Sequence, residues 1–240
     1  MLGEIETLVQ LQEGKDNEPI IFVHPIGGTL FIYKPLIARL ITQHPIYGIQ
    51  DNFLEGQFRH YGTLTEQAQY YIQKIFDRLS VSAISFAGLS SGGSLAFEMA
   101  RQCLEYGVQV KQVLMFDTWV KTPFDEGFKL CFQKIILRQI EKLNMLHLLD
   151  DQNLRSQWLE LLWERMGLLF TYNPRSAAVP ATLFTALEGV PEYTVDERVN
   201  YAWGQFVSSF NIIPVAGNHE TMLDLKYIEE LSAKVNECLK

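Results

Sequence analysis

Lysine and arginine are scarce relative to acid in this chain: 20 basic residues face 28 acidic ones, for a formal charge of −8. That balance argues against general nucleic-acid binding, which needs a basic footprint to neutralise phosphates. Cysteine is scarcer still. Cys103, Cys131 and Cys238 are odd in number and have no paired metal-ligand spacing, so the sequence predicts neither a disulfide framework nor a zinc site. A reducing, cytosolic setting is the expectation. No apolar run approaches the length of a membrane-spanning helix, and Met1 to Gln12 lacks the basic start and apolar core of a signal peptide. Neither G-x-G-x-x-G nor the lysine of a phosphate-binding P-loop occurs. What remains is a chain of 240 residues, nearly half of them hydrophobic, which suits one large domain with a sizeable core.

The segment with the most local chemistry is Gly88-Leu89-Ser90-Ser91-Gly92-Gly93. An apolar run, Val81 to Ala87, precedes it. Leu95, Ala96, Met99, Ala100 and Cys103 follow at helical spacing. G-x-S-x-G between a strand and a helix is the context of a nucleophile elbow, where a strained turn exposes a serine hydroxyl and glycines admit neighbouring backbone. Ser90 is therefore the candidate nucleophile.

The rest of the chain reads as alternating strands and helices. Strands are predicted at Pro19–His24, Pro45–Gln50, Val110–Phe116, Pro180–Leu187 and Asn211–Val215. Helices are predicted over Phe31–Ile41, from Thr63 or Thr65 to about Leu79, and over Leu223–Leu239. Regular alternation predicts an α/β fold with a mostly parallel sheet covered by helices on both faces. After Lys121-Thr122-Pro123 the alternation breaks into two helical patterns, Phe128/Phe132/Ile135/Ile136/Ile140/Leu143 and Leu154/Trp158/Leu161/Leu162/Met166. A single domain follows, with core 1–120 and 179–240 and a helical lid over about 121–178.

A serine hydroxyl needs a base, and the base needs a carboxylate to orient it. Only His147 and His219 follow Ser90. His147 falls inside a predicted lid helix, whereas His219 lies in a loop just past the last strand, where such sheets keep their catalytic groups. His219 is the candidate base. Asp117 and Glu188 both end strands and both can face the site. The uninterrupted strand before Asp117 favours it, but order in the chain does not decide. Two N–H donors are needed for the developing oxyanion: Ser91 supplies one, and Ile26, in the turn His24-Pro25-Ile26-Gly27-Gly28, is the candidate for the other. His24 is read as a structural hydrogen-bonding residue.

Ile21 to Gly28, Gly88 to Ala100, Asp117-Thr118-Trp119 and Gly217-Asn218-His219 together resemble the type I thioesterase domains that end polyketide and nonribosomal peptide synthetases, members of the α/β-hydrolase superfamily. The likeness covers nearly the whole chain, and the opening Leu8 to Gly14 is similar to the family's usual start. It implies an α/β-hydrolase fold, Asp117 as the orienting acid, His219 as base, and Ile26 and Ser91 as oxyanion donors. Ser91 departs from the larger or aromatic residue common after the nucleophile. The implied partners are an acyl or peptidyl carrier protein and upstream synthase modules. The implied substrate is a chain on the carrier's phosphopantetheine arm, with no cofactor or metal of the domain's own. Released products would be acids or macrocycles.

Carrier proteins are acidic, so Lys129, Lys134, Arg138 and Lys142, at near-helical spacing in the lid, form a candidate docking face beside the plainer reading of a solvated helix surface. Phe128, Phe132, Trp158, Trp163 and Phe170 either line an acyl channel or fill the lid's own core. A stand-alone editing thioesterase, a small-ester esterase and a non-catalytic partner-binding protein are the competing functions. A domain-like opening after Met1 also fits a piece of a larger synthase.

Overall fold

The computed structural model describes residues 6–51, 59–120, 134–138, 141, 152–190 and 201–240. Among the described residues seven strands form one sheet: β1 (Leu8–Gln12), β2 (Ile20–Val23), β3 (Ile46–Ile49), β4 (Ala83–Leu89), β5 (Gln109–Phe116), β6 (Pro180–Ala186) and β7 (Ser209–Val215). Their order is β1-β3-β2-β4-β5-β6-β7. Every pairing is parallel except that of β1 with β3. The central strands are apolar without alternation, and all seven residues of β4 are buried. That is the pattern of strands covered on both faces.

The covering helices confirm this. One face carries α2 (Leu64–Phe76) and α3 (Ser91–Glu105), whose Ala68, Tyr71, Ile72, Ile75, Leu95, Ala96 and Met99 join a core with Ile21, Ile84 and Phe86. The other face carries α1 (Lys34–Ile37) and α5 (Ile228–Cys238) over Phe22, Ala87 and Phe116. Thr63 caps α2 as expected, its hydroxyl accepting the N–H of Glu66 at 3.1 Å.

Three elements differ from the sequence expectation. The strand β1 was not anticipated; its exposed Gln10 lets it serve as a half-solvated edge. The helix expected over Phe31–Ile41 is a 3₁₀ turn, Phe31–Tyr33, followed by the single turn of α1. Phe31 and Ile41 are exposed, so the ends of that apolar pattern reach no core. The closing helix begins at Ile228 instead of Leu223, because turns through Asn218, Thr221 and Asp224 occupy the intervening chain.

Between β5 and β6 runs α4 (Gln152–Thr171), the second of the two predicted helical patterns. The first is helical at 134–138 and 141. Phe128, Phe132, His147, Lys129 and Lys142 lie outside the described residues. Trp158, Leu161, Leu162 and Met166 of α4 pack with Ile136 and Trp119 in a cluster separate from the two sheet cores, and Trp163 and Phe170 lie against it.

Buried ionic contacts fasten the C-terminal half of α4. Arg165 Nε donates to Asp51 Oδ2 at 3.1 Å, with both side chains buried and the guanidinium over the Tyr61 ring. Just past the helix, Tyr172 Oη donates to Glu98 Oε2 at 2.9 Å. Glu98 also accepts from Arg101 and Gln102 of α3, and these bonds hold its carboxyl below its ordinary value although burial pulls the other way.

Candidate active site

The chain runs β2 to β3 on one side and returns to β4 on the other, so β2 and β4 flank a topological switch point, where open α/β sheets bind ligands. Val23 pairs with Gly88 across it. The loop that begins at His24 and the elbow at Ser90 therefore leave the sheet side by side.

Ser90 has φ 55°, a left-handed conformation rare for serine. Such strain costs on the order of 1–3 kcal/mol and persists only where the surroundings enforce it. The surroundings here are specific. Ser90 N–H donates to Phe116 O at 2.9 Å. Tyr33 Oη accepts the Leu89 N–H at 2.7 Å and donates to Val23 O at 2.8 Å, tying the elbow to the end of β2. A Cβ on Gly88 would lie 2.2 Å from the Gly92 backbone, and one on Gly92 would lie 2.6 Å from Val23 O. Both glycines of the motif are thus demanded by close backbone approach. Gly88→Ala is expected to destabilise the protein by about 1–3 kcal/mol or more through overpacking, read as a lower urea midpoint.

Asp117 follows β5, the neighbour of β4, and is also left-handed, with φ 41°. Its buried carboxylate accepts from three donors: His219 Nδ1 at 2.6 Å on Oδ2, and Tyr201 Oη at 2.5 Å and Ala186 N at 3.1 Å on Oδ1. Burial alone would raise its pKa, but the hydrogen bonds outweigh it and Asp117 is held below the usual aspartate range. An ionised carboxylate only accepts, so His219 carries its proton on Nδ1. The lone pair of Nε2 then faces Ser90 Oγ, 3.0 Å away. The His219 loop is fixed by Asn218, whose side chain accepts from Glu220 N and Thr221 Oγ1.

Glu188 is not part of this arrangement. Its carboxylate is exposed and accepts from Tyr227 Oη at 3.3 Å. Cys103, a conceivable rival nucleophile, is buried in the core, and burial pushes its thiol up to about 12.

Ile26 and Ser91 flank the serine at the two chain segments that meet at the switch point. Neither backbone N–H donates to a backbone carbonyl in the turns and loops among the described residues. His24 braces the first segment: its Nδ1–H donates to Pro25 O at 2.7 Å, and Tyr71 Oη donates to its Nε2 at 2.8 Å. Burial pushes this imidazole below its ordinary pKa, consistent with a neutral ring that accepts from a tyrosine.

A cleft of about 100 Å³ opens over Ser90, lined by Ile26, Ile32, Leu89, Ile135, Ile136 and Glu220 among others. Glu220 accepts from Arg138 at 2.7 Å. Arg138 and Lys134 are exposed, the two described members of the predicted cationic face. Tyr33, Trp119 and Tyr201 were not singled out by sequence reasoning for what they do here. Each acts across a long sequence separation that no local pattern records.

A left-handed serine on the turn out of a central parallel strand, with histidine and aspartate on later strand ends of the same sheet, defines the α/β-hydrolase fold. The sequence matches the model of the Thioesterase domain family over residues 18–237, and the chain belongs to that family, a family of hydrolases. The dimodular nonribosomal peptide synthase of Bacillus subtilis (strain 168) is 30% identical over 115 residues, 48% of this chain and 5% of that protein. The polyketide synthase PksR of the same strain is 31% identical over 121 residues, 50% of this chain and 5% of that protein. The chain therefore spans a small fraction of the length of the curated relatives it matches. Among solved structures, a four-domain nonribosomal peptide synthetase bound to AMP and glycine superposes with TM-score 0.82 at 20% identity, covering 97% of this chain and 20% of that one. The NocB thioesterase domain, in covalent complex with a fluorophosphonate nocardicin G analog, gives 0.75 at 19% identity over 94% of this chain and 96% of that one. No described helix is long and apolar enough to cross a membrane.

Proposed function

We propose that the chain is a cytoplasmic serine thioesterase that releases an acyl, polyketide or peptidyl chain from the phosphopantetheine arm of a carrier protein. Its natural partners are then the carrier and the upstream modules of a synthase. The observation that carries the reading is His219 bridging Ser90 Oγ and Asp117 at 3.0 and 2.6 Å. In the first step His219 Nε2 takes the Ser90 proton as Oγ attacks the thioester carbonyl, while the N–H groups of Ile26 and Ser91 hold the oxyanion. The intermediate collapses with loss of the thiolate. His219 returns the proton to sulfur, leaving an acyl-Ser90 ester and a free carrier thiol. In the second step His219 takes a proton from water, or from a hydroxyl or amine of the chain itself, as that group attacks the acyl-Ser90 ester. The acyl–Oγ bond breaks, His219 returns the proton to Ser90 Oγ, and an acid or a ring is released. Asp117 holds the imidazole in the required tautomer throughout.

The apolar cleft suits an acyl chain next to the carbonyl. We read the chain as one thioesterase domain with 121–178 as its lid segment, of which 134–138, 141 and 152–178 are described. The relatives in large synthases favour chain termination over small-ester hydrolysis. The test is intact mass of the protein after incubation with acyl-pantetheine thioesters, with thiol release followed in parallel. An acyl adduct on the Ser90 peptide, absent in Ser90→Ala, is the expected result. Thiol release that survives Ser90→Ala unchanged rejects the mechanism. Cleavage of small oxygen esters without any reaction of thioesters would put the esterase reading ahead.

A further inference from the structure

His219 is held at both nitrogens by hydrogen bonds, Nδ1 to Asp117 Oδ2 at 2.6 Å and Nε2 to Ser90 Oγ at 3.0 Å. Two such bonds fix the line through Nδ1 and Nε2 more tightly than they fix the tilt of the imidazole about it. Tilt matters, because Nε2 must first aim at Ser90 Oγ and then redirect its proton to the leaving sulfur, and small misplacements of a catalytic group are costly. The indole of Trp119 lies against this ring, with centroids 4.9 Å apart and planes 33° from parallel.

Trp119 is itself firmly placed. It is buried, two residues past Asp117 on the same strand end, and it packs with Ile136, Leu161, Leu162 and Met166. The preceding carbonyl, Thr118 O, accepts from Trp203 Nε1 at 2.9 Å. An aromatic face also suits the imidazolium formed during each step, since the ring quadrupole attracts a cation placed over it.

We infer that Trp119 is a positioning residue for His219, its indole face helping to set the tilt that the hydrogen bonds to Asp117 and Ser90 fix less tightly. The inference rests on the reading of His219 as the base. It is tested by the rate at which a fluorophosphonate probe labels Ser90, together with kcat and KM for a small acyl-pantetheine thioester. Trp119→Leu is expected to slow labelling and lower kcat by about 10–100-fold, with KM little changed. Trp119→Phe, which restores a flat face, is expected to recover most of the loss. Trp119→Met, which keeps volume without a ring, replaces the leucine variant should that fail to fold. Ile75→Ala, in the core under α2 and outside the Trp119 cluster, is expected to lower Tm while labelling stays near the wild-type rate.

Labelling of Trp119→Leu or Trp119→Met at the wild-type rate overturns the inference, as does a loss that Ile75→Ala reproduces. In both cases wild type is still labelled at Ser90 and the proposed function stands. A wild-type protein labelled elsewhere than Ser90 overturns both.

Discussion

His219→Ala is expected to lower kcat for thioester cleavage by about 10⁶-fold, the size of effect known when a serine hydrolase loses its base. The reason is geometric. Ser90 Oγ has His219 Nε2 at 3.0 Å, and no other imidazole approaches it among the described residues. Without that lone pair the hydroxyl must attack with its proton still attached. On the proposed mechanism the N–H groups of Ile26 and Ser91 still stabilise an oxyanion, so a residual acceleration of about 10³–10⁴ over water should remain. Combining His219→Ala with Ser90→Ala should cost almost nothing further, because the two act as one unit. Release of free thiol from an acyl-pantetheine substrate measures all three variants. A deficit below about tenfold in His219→Ala would remove the histidine from the mechanism.

Asp117→Asn should cost about 10⁴-fold in kcat with little change in fold, since an amide can offer His219 Nδ1 a donor and so favour the wrong tautomer. The substitution has a second, pH-dependent signature. Asp117 is held below the usual aspartate range because hydrogen bonds from His219, Tyr201 and Ala186 outweigh its burial. A depressed carboxylate contributes stability that is fully present above the unfolded-state value and is lost as pH falls through the folded one. The stability of wild type relative to Asp117→Asn should therefore be highest near neutrality and decline in acid, as urea midpoints across pH would show. A difference that grows as pH falls would mean that Asp117 is protonated in the folded state.

The parts of this site that sequence made legible are those in which chemistry constrains neighbouring positions. Ser90 stood out because Gly88 and Gly92 are required by backbone closer than a Cβ allows, and that requirement is written within a few residues. The sheet was legible for a similar reason: strands buried on both faces must be apolar throughout, as β4 is. The choice between Asp117 and Glu188 was different. Both end strands, and only the lateral order of the sheet, with β5 beside β4, brings one carboxylate to His219 and leaves the other near Tyr227. Tyr201 reaches Asp117 across 84 residues, a relation no periodicity encodes. β1 escaped notice because an edge strand with one solvated side has too few apolar residues to announce itself.

The fastening of α4 has a mechanical consequence. Breaking a buried ion pair such as Arg165 with Asp51 by removing one partner typically costs about 3–5 kcal/mol, and Tyr172 adds a second tether to Glu98. Thermal motion will rarely detach that end. The constraint on the helix is therefore uneven, and any motion of α4 against the sheet should be smallest near Arg165 and larger toward Gln152. Spin labels placed at Gln152 and Thr171 would report this asymmetry as a distance to the sheet that broadens at the first site and stays narrow at the second.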